Sequence, residues 1–433
     1  MTTVANGAGR EPIVITGTGI VSAIGCSVDR FHRAVMAGET GIRIAPWNDP
    51  ARDGRTIFWG TVTELNPLDW MSEKLVDGTD SFAQFAFSAA RQAMQQAGLD
   101  DAGDSFDPER AGVVHGTSGG GVRAFQKAQY MLDTQGPGAV PRKTQLQVWA
   151  NMAAAQVALH YRMHGPNLTV TTACASSLDA IGTAVNLIRA GEADVIIAGG
   201  TEGGLTLPGG EVDFVPAMYY AGGAYGMEAP VEDPKRVMLP FDVNRQGIVV
   251  GEGSAMIVLE RESHAKARGA KILGYLRGYG SLADSYHPSS PDPSGQWEAR
   301  AMEKALKSAG MTPSDVAGLY PHATATPKGD TAEINAINLV HGKASGRSQP
   351  LKVAAMKGHT AHSGASSGGM SLIEGLMAMA EDRFPFTANT TDPDPAAEFE
   401  IVTGAPQDLV HDVFQVNSFG FGGQNASMIV SRS

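Results

Sequence analysis

Short runs of β-branched and apolar residues recur along the chain, and each gives way to a stretch where apolar side chains return every three or four positions. Ile13 to Thr16, Gly112 to His115, Leu168 to Thr172 and Val195 to Ala198 predict buried strands. Between the first two, Ser81 to Gly98 sets Phe82, Phe85, Ala86 and Ala89 on one helical face and ends at a glycine. The rhythm then repeats. Ala255 to Leu259, Lys271 to Gly278, Leu351 to Ala355 and Val413 to Asn417 predict strands, and Glu298 to Ala309 and Ser367 to Ala380 predict helices. Such alternation predicts stacked α/β layers, and its recurrence predicts two similar halves, residues 1–265 and 266–433. No flexible linker marks the boundary, where ESHAKARGAK reads as helix. SYHPSSPDPSG and NTTDPDPAAE read as turn-rich loops.

Composition narrows the classes. With 33 basic and 45 acidic side chains the formal charge is 33 − 45 = −12, which argues against a nucleic-acid-binding surface. No apolar run reaches the ~18 residues a membrane helix needs, and MTTVANGAGREP lacks a secretory pattern. The two cysteines, Cys26 and Cys174, cannot make a disulfide framework, so a reducing cytoplasm is the expected compartment. Glycine stands out at 53 of 433, against a usual ~7 %. It clusters in GTSGGG, AGGTEGG, VGEG and FGFGG, where backbones approach one another or a site closely. Neither Gly17-x-Gly19-x-x-Ser22 nor GTSGGG completes a nucleotide-binding motif.

The chemistry points to Leu168 to Gly191, LTVTTACASSLDAIGTAVNLIRAG. A β-branched strand runs into a turn of small residues, then into a helix with Leu178, Ile181, Val185 and Ile188 on its buried side. Cys174 falls at the strand-to-helix corner, where unpaired N–H groups and the helix dipole are expected to lower its pKa. Small neighbours leave room for a carbonyl substrate. From this pattern alone a buried, inert cysteine is as good a reading; for Cys26 it is the better one. Two further segments shift the balance: YPHATATPKGD sets His322 at a strand end, and KGHTAHSGASSGG sets histidines at the mouth of another helix. A corner thiol and strand-end imidazoles in corresponding places of an α/β body fit a nucleophile and its helpers.

At these residues the chain resembles the β-ketoacyl-acyl carrier protein synthases of the elongating type, in the thiolase superfamily. The resemblance is carried by ITGTGIVSAIG, TTACASSLDAI, FDVNRQGIVVGEG, HAKARGA, HATATPKGD, Lys357 to His362 and NSFGFGGQN. It implies a five-layered αβαβα fold, a dimer with itself or with a homologous subunit, an acyl carrier protein as partner, a Cys-His-His centre, and no cofactor or metal. The family's lysine lies five positions before its second histidine. That register selects Lys357 and His362 over His359 and replaces the family's usual glycine by Ala361.

The implied reaction is a decarboxylative Claisen condensation in fatty acid or polyketide elongation. Cys174 holds the acyl chain, and His322 and His362 hold the enolate oxygen. The N–H groups of Cys174 and Phe421 form an oxyanion hole with Phe421 as gate; Lys357 orients, paired with Glu333, and Asp330 also orients. Gly119 stands where relatives often carry a bulky residue at the acyl pocket. The segment Met71 to Asp80 keeps only Lys74 of the basic residues that often meet the carrier. Two other classes stand beside this reading: a non-catalytic partner subunit of the chain-length-factor kind, and a zinc site on Cys174, His322 and His362, for which no CxxC or HExxH spacing is present.

Overall fold

The structure, a computed structural model, describes residues 11–45, 56–100, 105–204, 218 and 233–433; the N-terminal segment judged to lack a secretory pattern lies largely outside them. Eleven strands form one mixed sheet. In chain order the first five principal strands are Ile13–Val21, Ala111–Gly116, Asn167–Val170, Val195–Glu202 and Gly253–Arg261. They lie side by side in the order three, two, four, five, one. The next five, Gly274–Ala283, Gly318–Tyr320, Lys352–Val353, Val413–Gly420 and Gln424–Ser431, lie in that same order, with Glu400–Ile401 added at the edge. Strand directions repeat too: two is parallel to three and four, while five is antiparallel to four and one, in both sets. The two first strands pair antiparallel at the centre through Ile13 to Ile15.

Helices Ser176–Arg189 and Ser367–Glu381 pack against each other between the two sets of strands. Ser81–Ala97 and Met152–Tyr161 cover the outer face of the first set, and Gln296–Ala309 and Pro327–His341 that of the second. The sequence of layers is therefore helix, sheet, helix, sheet, helix. The central helices share one continuous apolar core, with Leu178, Ile181, Leu372 and Ile373 in it. Burial of this kind is worth roughly 25 cal/mol per Å² of apolar surface.

The predicted elements appear with shifted ends. The first strand runs on to Val21, since Gly17 and Gly19 let it press against helix Ser81–Ala97. A Cβ on either would fall about 2 Å from Ala93 O or Ala89 O, so these glycines serve packing. Leu351 to Ala355 shrinks to the strand pair Lys352–Val353, and Lys271 to Gly278 begins only at Gly274. The HAKARGA segment forms the short helix Glu262–Ala267, from which His264 and Arg268 clasp the buried carboxylate of Glu260 at 2.6 and 2.8 Å. Burial opposes that charge, yet the clasp outweighs it and lowers the Glu260 pKa to about 2. The segment Met71 to Asp80 contains the helix Glu73–Gly78 with Lys74 exposed.

Candidate active site

Cys174 sits between the edge strand Asn167–Val170 and the central helix Ser176–Arg189. The corner is tight. Ala173 takes a positive φ of 48°, and Ser176 Oγ accepts from Thr172 N at 2.9 Å while donating to Ala173 O at 2.6 Å. Ser418 Oγ donates to Cys174 O at 2.8 Å. Across from it Gly420 is pressed so close that a Cβ would lie 3.0 Å from Cys174 N. Gly422 and Gly423 follow at φ 83° and 76°, and between them and Gly420 the side chain of Phe421 stands 43 % exposed.

The thiol is only 6 % exposed, and this overturns the expected direction of its pKa. Burial pushes it up to about 11, against the pull of Lys357 and of the backbone N–H groups of Cys174 and Phe421; the Glu202 carboxylate pushes the same way as burial. Roughly one thiol in 10⁴ is ionised at pH 7. What a neutral thiol needs is a base in contact, and His362 Nε2 lies 3.0 Å from Sγ. Its Nδ1 lies 3.0 Å from Ser367 Oγ. That hydroxyl either donates or accepts, so His362 can take the thiol proton in one tautomer and present an N–H in the other.

His362 occupies a corner like that of Cys174, between Lys352–Val353 and the central helix Ser367–Glu381, and it too follows a strained alanine: Ala361 has φ 62° and ψ −174°. That region is close to glycine-only, the physical reason a glycine is usual there. The methyl of Ala361 fits because Gly60 and Gly251 face it. His359 is elsewhere, its Nδ1 and Nε2 each 3.0 Å from the carbonyl oxygens of Glu39 and Phe386.

His322 follows strand Gly318–Tyr320 and stands edge-to-face with His362, ring centroids 5.3 Å apart. Glu333 accepts from His322 N at 2.8 Å and from Ala323 N at 2.6 Å, holding a turn in which Ala323 and Ala325 both have positive φ. Lys357 is 3 % exposed. Its Nζ contacts His322 O and lies 3.4 Å from His322 Nδ1. An ammonium has only protons to give, so His322 Nδ1 accepts and the ring proton belongs on Nε2. The expected Lys357–Glu333 pair is thus not a direct contact: Glu333 holds the backbone, and its charge reaches Lys357 only through space.

Burial lowers the pKa of Lys357 to about 8, with Glu333, Cys174 and Asp330 opposing. Burial and the nearby ammonium hold both histidines well below the ordinary imidazole range. The set at neutral pH is therefore two neutral imidazoles, one neutral thiol and one cation. Asp330, at the start of helix Pro327–His341, accepts from Phe241 N at 2.7 Å and fixes the neighbouring loop; burial lifts its pKa to about 7.

Cys174, His322, His362, Glu333 and Phe421 line one cavity of about 900 Å³. Gly119 does not line it. It is exposed beside Glu202, with its N–H 3.3 Å from Glu202 Oε1, and the acyl-pocket reading has no support from this cavity. The thiol and two imidazoles have donor atoms within 4.8 Å of one another, the only such group among the described residues. The buried Lys357 ammonium beside them is a poor neighbour for a dication. Sequence reasoning missed Ser367, Gly420 and Glu202; only the small-residue runs around the first two hinted at close packing.

The sequence matches the family described as "Beta-ketoacyl synthase, N-terminal domain" over residues 10–265 and "Beta-ketoacyl synthase, C-terminal domain" over residues 273–391. A 3-oxoacyl-[acyl-carrier-protein] synthase 2 of a Synechocystis species is 34 % identical over 97 % of each chain. Among solved structures, a chain of a type II polyketide acyl-carrier protein in complex with its ketosynthase bound to the hexaketide aligns at TM-score 0.86, with 26 % identity over 98 % of this chain and all of that one. A chain of the ishigamide ketosynthase/chain length factor aligns equally well, at 29 % identity over 98 % and 100 %. Fold and likeness together define an acyltransferase on a thiolase-like α/β body. The chain belongs to the beta-ketoacyl synthase family. Among the described residues no helix is long and apolar enough to cross a membrane.

Proposed function

We propose that this chain elongates acyl groups by decarboxylative condensation with a malonyl thioester, as a 3-oxoacyl-[acyl-carrier-protein] synthase whose catalytic residues are Cys174, His322, His362 and Lys357. The observation that carries it is the contact between His362 Nε2 and Cys174 Sγ, 3.0 Å, with His322 facing the same cavity. In the first half-reaction the thiol attacks an acyl thioester. The Cys174 S–C bond forms, the carrier's S–C bond breaks, and the thiol proton passes by way of His362 to the leaving thiolate. In the second, the malonyl C–C bond to carboxylate breaks and CO2 leaves. The electron pair becomes an enolate, whose oxygen takes N–H bonds from His322 Nε2 and His362 Nε2 under the field of Lys357. The enolate carbon then attacks the acyl-cysteine, and the N–H groups of Cys174 and Phe421 hold the oxyanion, each donor worth about 3 to 4 kcal/mol. The sulfur leaves as thiolate and regains a proton from solvent.

The likeness to a ketosynthase in complex with an acyl-carrier protein supports such a carrier as partner, and that to a ketosynthase/chain length factor supports a homologous subunit as an alternative to self-pairing. The repeated strand order supports a division near residue 265 into a half bearing the thiol and a half bearing both histidines. The cytoplasm is the compartment that suits the unpaired cysteines. A purely structural partner subunit has no use for an intact thiol–imidazole contact. The test is mass spectrometry after incubation with acyl carriers, together with CO2 release from malonyl carrier. An acyl adduct on Cys174, lost in Cys174→Ala, and decarboxylation that persists in Cys174→Gln are the expected results. An unmodified Cys174 with every acyl carrier tried, or condensation by Cys174→Ala, overturns the assignment.

A further inference from the structure

The catalytic cavity has a wall for which the condensation gives no role. Glu298, in the first turn of helix Gln296–Ala309, lines it together with Asn425 of the last strand. Both are nearly fully buried, 3 % and 2 % exposed. Glu298 Oε2 and Asn425 Nδ2 have no hydrogen-bond partner in the protein. Leaving such atoms unmatched costs about 1–3 kcal/mol each.

The charge state decides what could match them. Burial, with Glu333, Asp284, Asp292 and Asp330 around it, holds the Glu298 pKa well above the carboxylate range, so the group presents an O–H. With the amide N–H2 of Asn425 this puts two unmatched donors in the lining of one cavity. An anionic group such as the malonyl carboxylate or a phosphate is repelled by the four surrounding acids. A plain alkyl chain leaves both donors unmatched. The complement is a neutral oxygen acceptor.

We propose that Glu298 and Asn425 form an uncharged hydrogen-bonding subsite, which selects thioester substrates carrying a neutral carbonyl, amide or hydroxyl oxygen at that wall. This rests on the synthase reading above. The oxygen comes either from an acyl chain oxygenated along its length or from an amide of the carrier's pantetheine arm.

The test compares kcat/KM ratios in wild type, Glu298→Leu and Glu298→Gln, the last an isostere of the neutral acid. Acyl-pantetheine thioesters of equal length with and without a 3-hydroxyl form one arm. Malonyl-pantetheine against malonyl-N-acetylcysteamine, which lacks one amide, forms the other. For an acyl oxygen, Glu298→Leu shifts the hydroxyacyl-to-alkyl ratio down by about tenfold or more, and Glu298→Gln restores it. For an arm amide, the same loss and rescue fall on the pantetheine-to-N-acetylcysteamine ratio. Both ratios staying within about twofold of wild type in Glu298→Leu, or Gln failing to rescue, overturns the subsite. Wild-type protein that condenses no pair of thioesters overturns the synthase reading and the subsite with it.

Discussion

At the scale of single residues the two half-reactions make different demands on protons. The Cys174 thiol, raised to about 11 by burial, stays protonated across the neutral range and gives its proton to His362, which is a neutral base throughout it. Lys357, lowered to about 8 by burial, loses its cation as pH rises through that value. Acyl loading is therefore expected to stay nearly flat from pH 7 to 9, while malonyl decarboxylation falls above about pH 8. Single-turnover acylation followed by mass spectrometry, set beside CO2 release from Cys174→Gln, separates the two slopes; parallel profiles would falsify the assignment of Lys357. A second contrast lies within KGHTAHSGASSGG. His362→Ala is expected to cut decarboxylation by at least ~100-fold, the scale of a lost donor. His359→Ala, which releases the carbonyls of Glu39 and Phe386 and the edge-on packing against the Phe386 ring, is expected to lower Tm more than turnover. The reverse order in CO2-release rates would assign the chemistry to the wrong histidine. The identity of the thiol was legible in the sequence, because a cysteine between a strand and a helix is a local pattern. Its pKa was not: the corner is closed in by residues far along the chain, His362 against the sulfur 188 positions on and Gly420 against the backbone 420 − 174 = 246 positions on. Glu298 was hidden for the same reason, reading as one more polar position at a helix start.

At the scale of elements, most strands could be read because β-branched runs survive any packing, and their ends could not because glycine contacts set them. The first strand outran its prediction where Gly17 and Gly19 lie on a helix, and Leu351 to Ala355 fell short where the chain turns toward the Lys357 segment. The corner before His362 gives a stability test. Ala361→Gly relieves backbone strain of about 1–3 kcal/mol. It also removes a buried methyl worth ~0.8 kcal/mol and loosens the unfolded chain by a further ~0.4–1 kcal/mol. The terms nearly cancel, so Tm is expected to stay within about 3 °C of wild type by calorimetry. Ala361→Val adds bulk against Gly60 and a β-branch at a glycine-like φ. It is expected to lower Tm by several degrees and to cut decarboxylation as His362 shifts; an unchanged enzyme would show that the corner yields freely.

At the scale of the whole molecule, one surface is poorly suited to water. Among the described residues Asn167–Val170 ends the sheet and carries an exposed Leu168, and Phe125, Tyr130 and Trp149 are further exposed apolar side chains earlier in the chain. An open strand edge and exposed apolar side chains each invite a partner. A dimer is expected by light scattering, with itself or with a homologous subunit, and a stable, active monomer would reject both. The recurrence of strand order also bears on ancestry. The residue after a strained alanine, at the turn from third strand to central helix, is Cys174 in one half and His362 in the other. A half-length chain bound to a copy of itself could only have offered the same side chain twice across that axis, two thiols or two imidazoles. Joining the copies in one chain lets each corner mutate alone, and an unlike pair, acid beside base, is what a duplicated and fused gene can encode and a symmetric pair cannot.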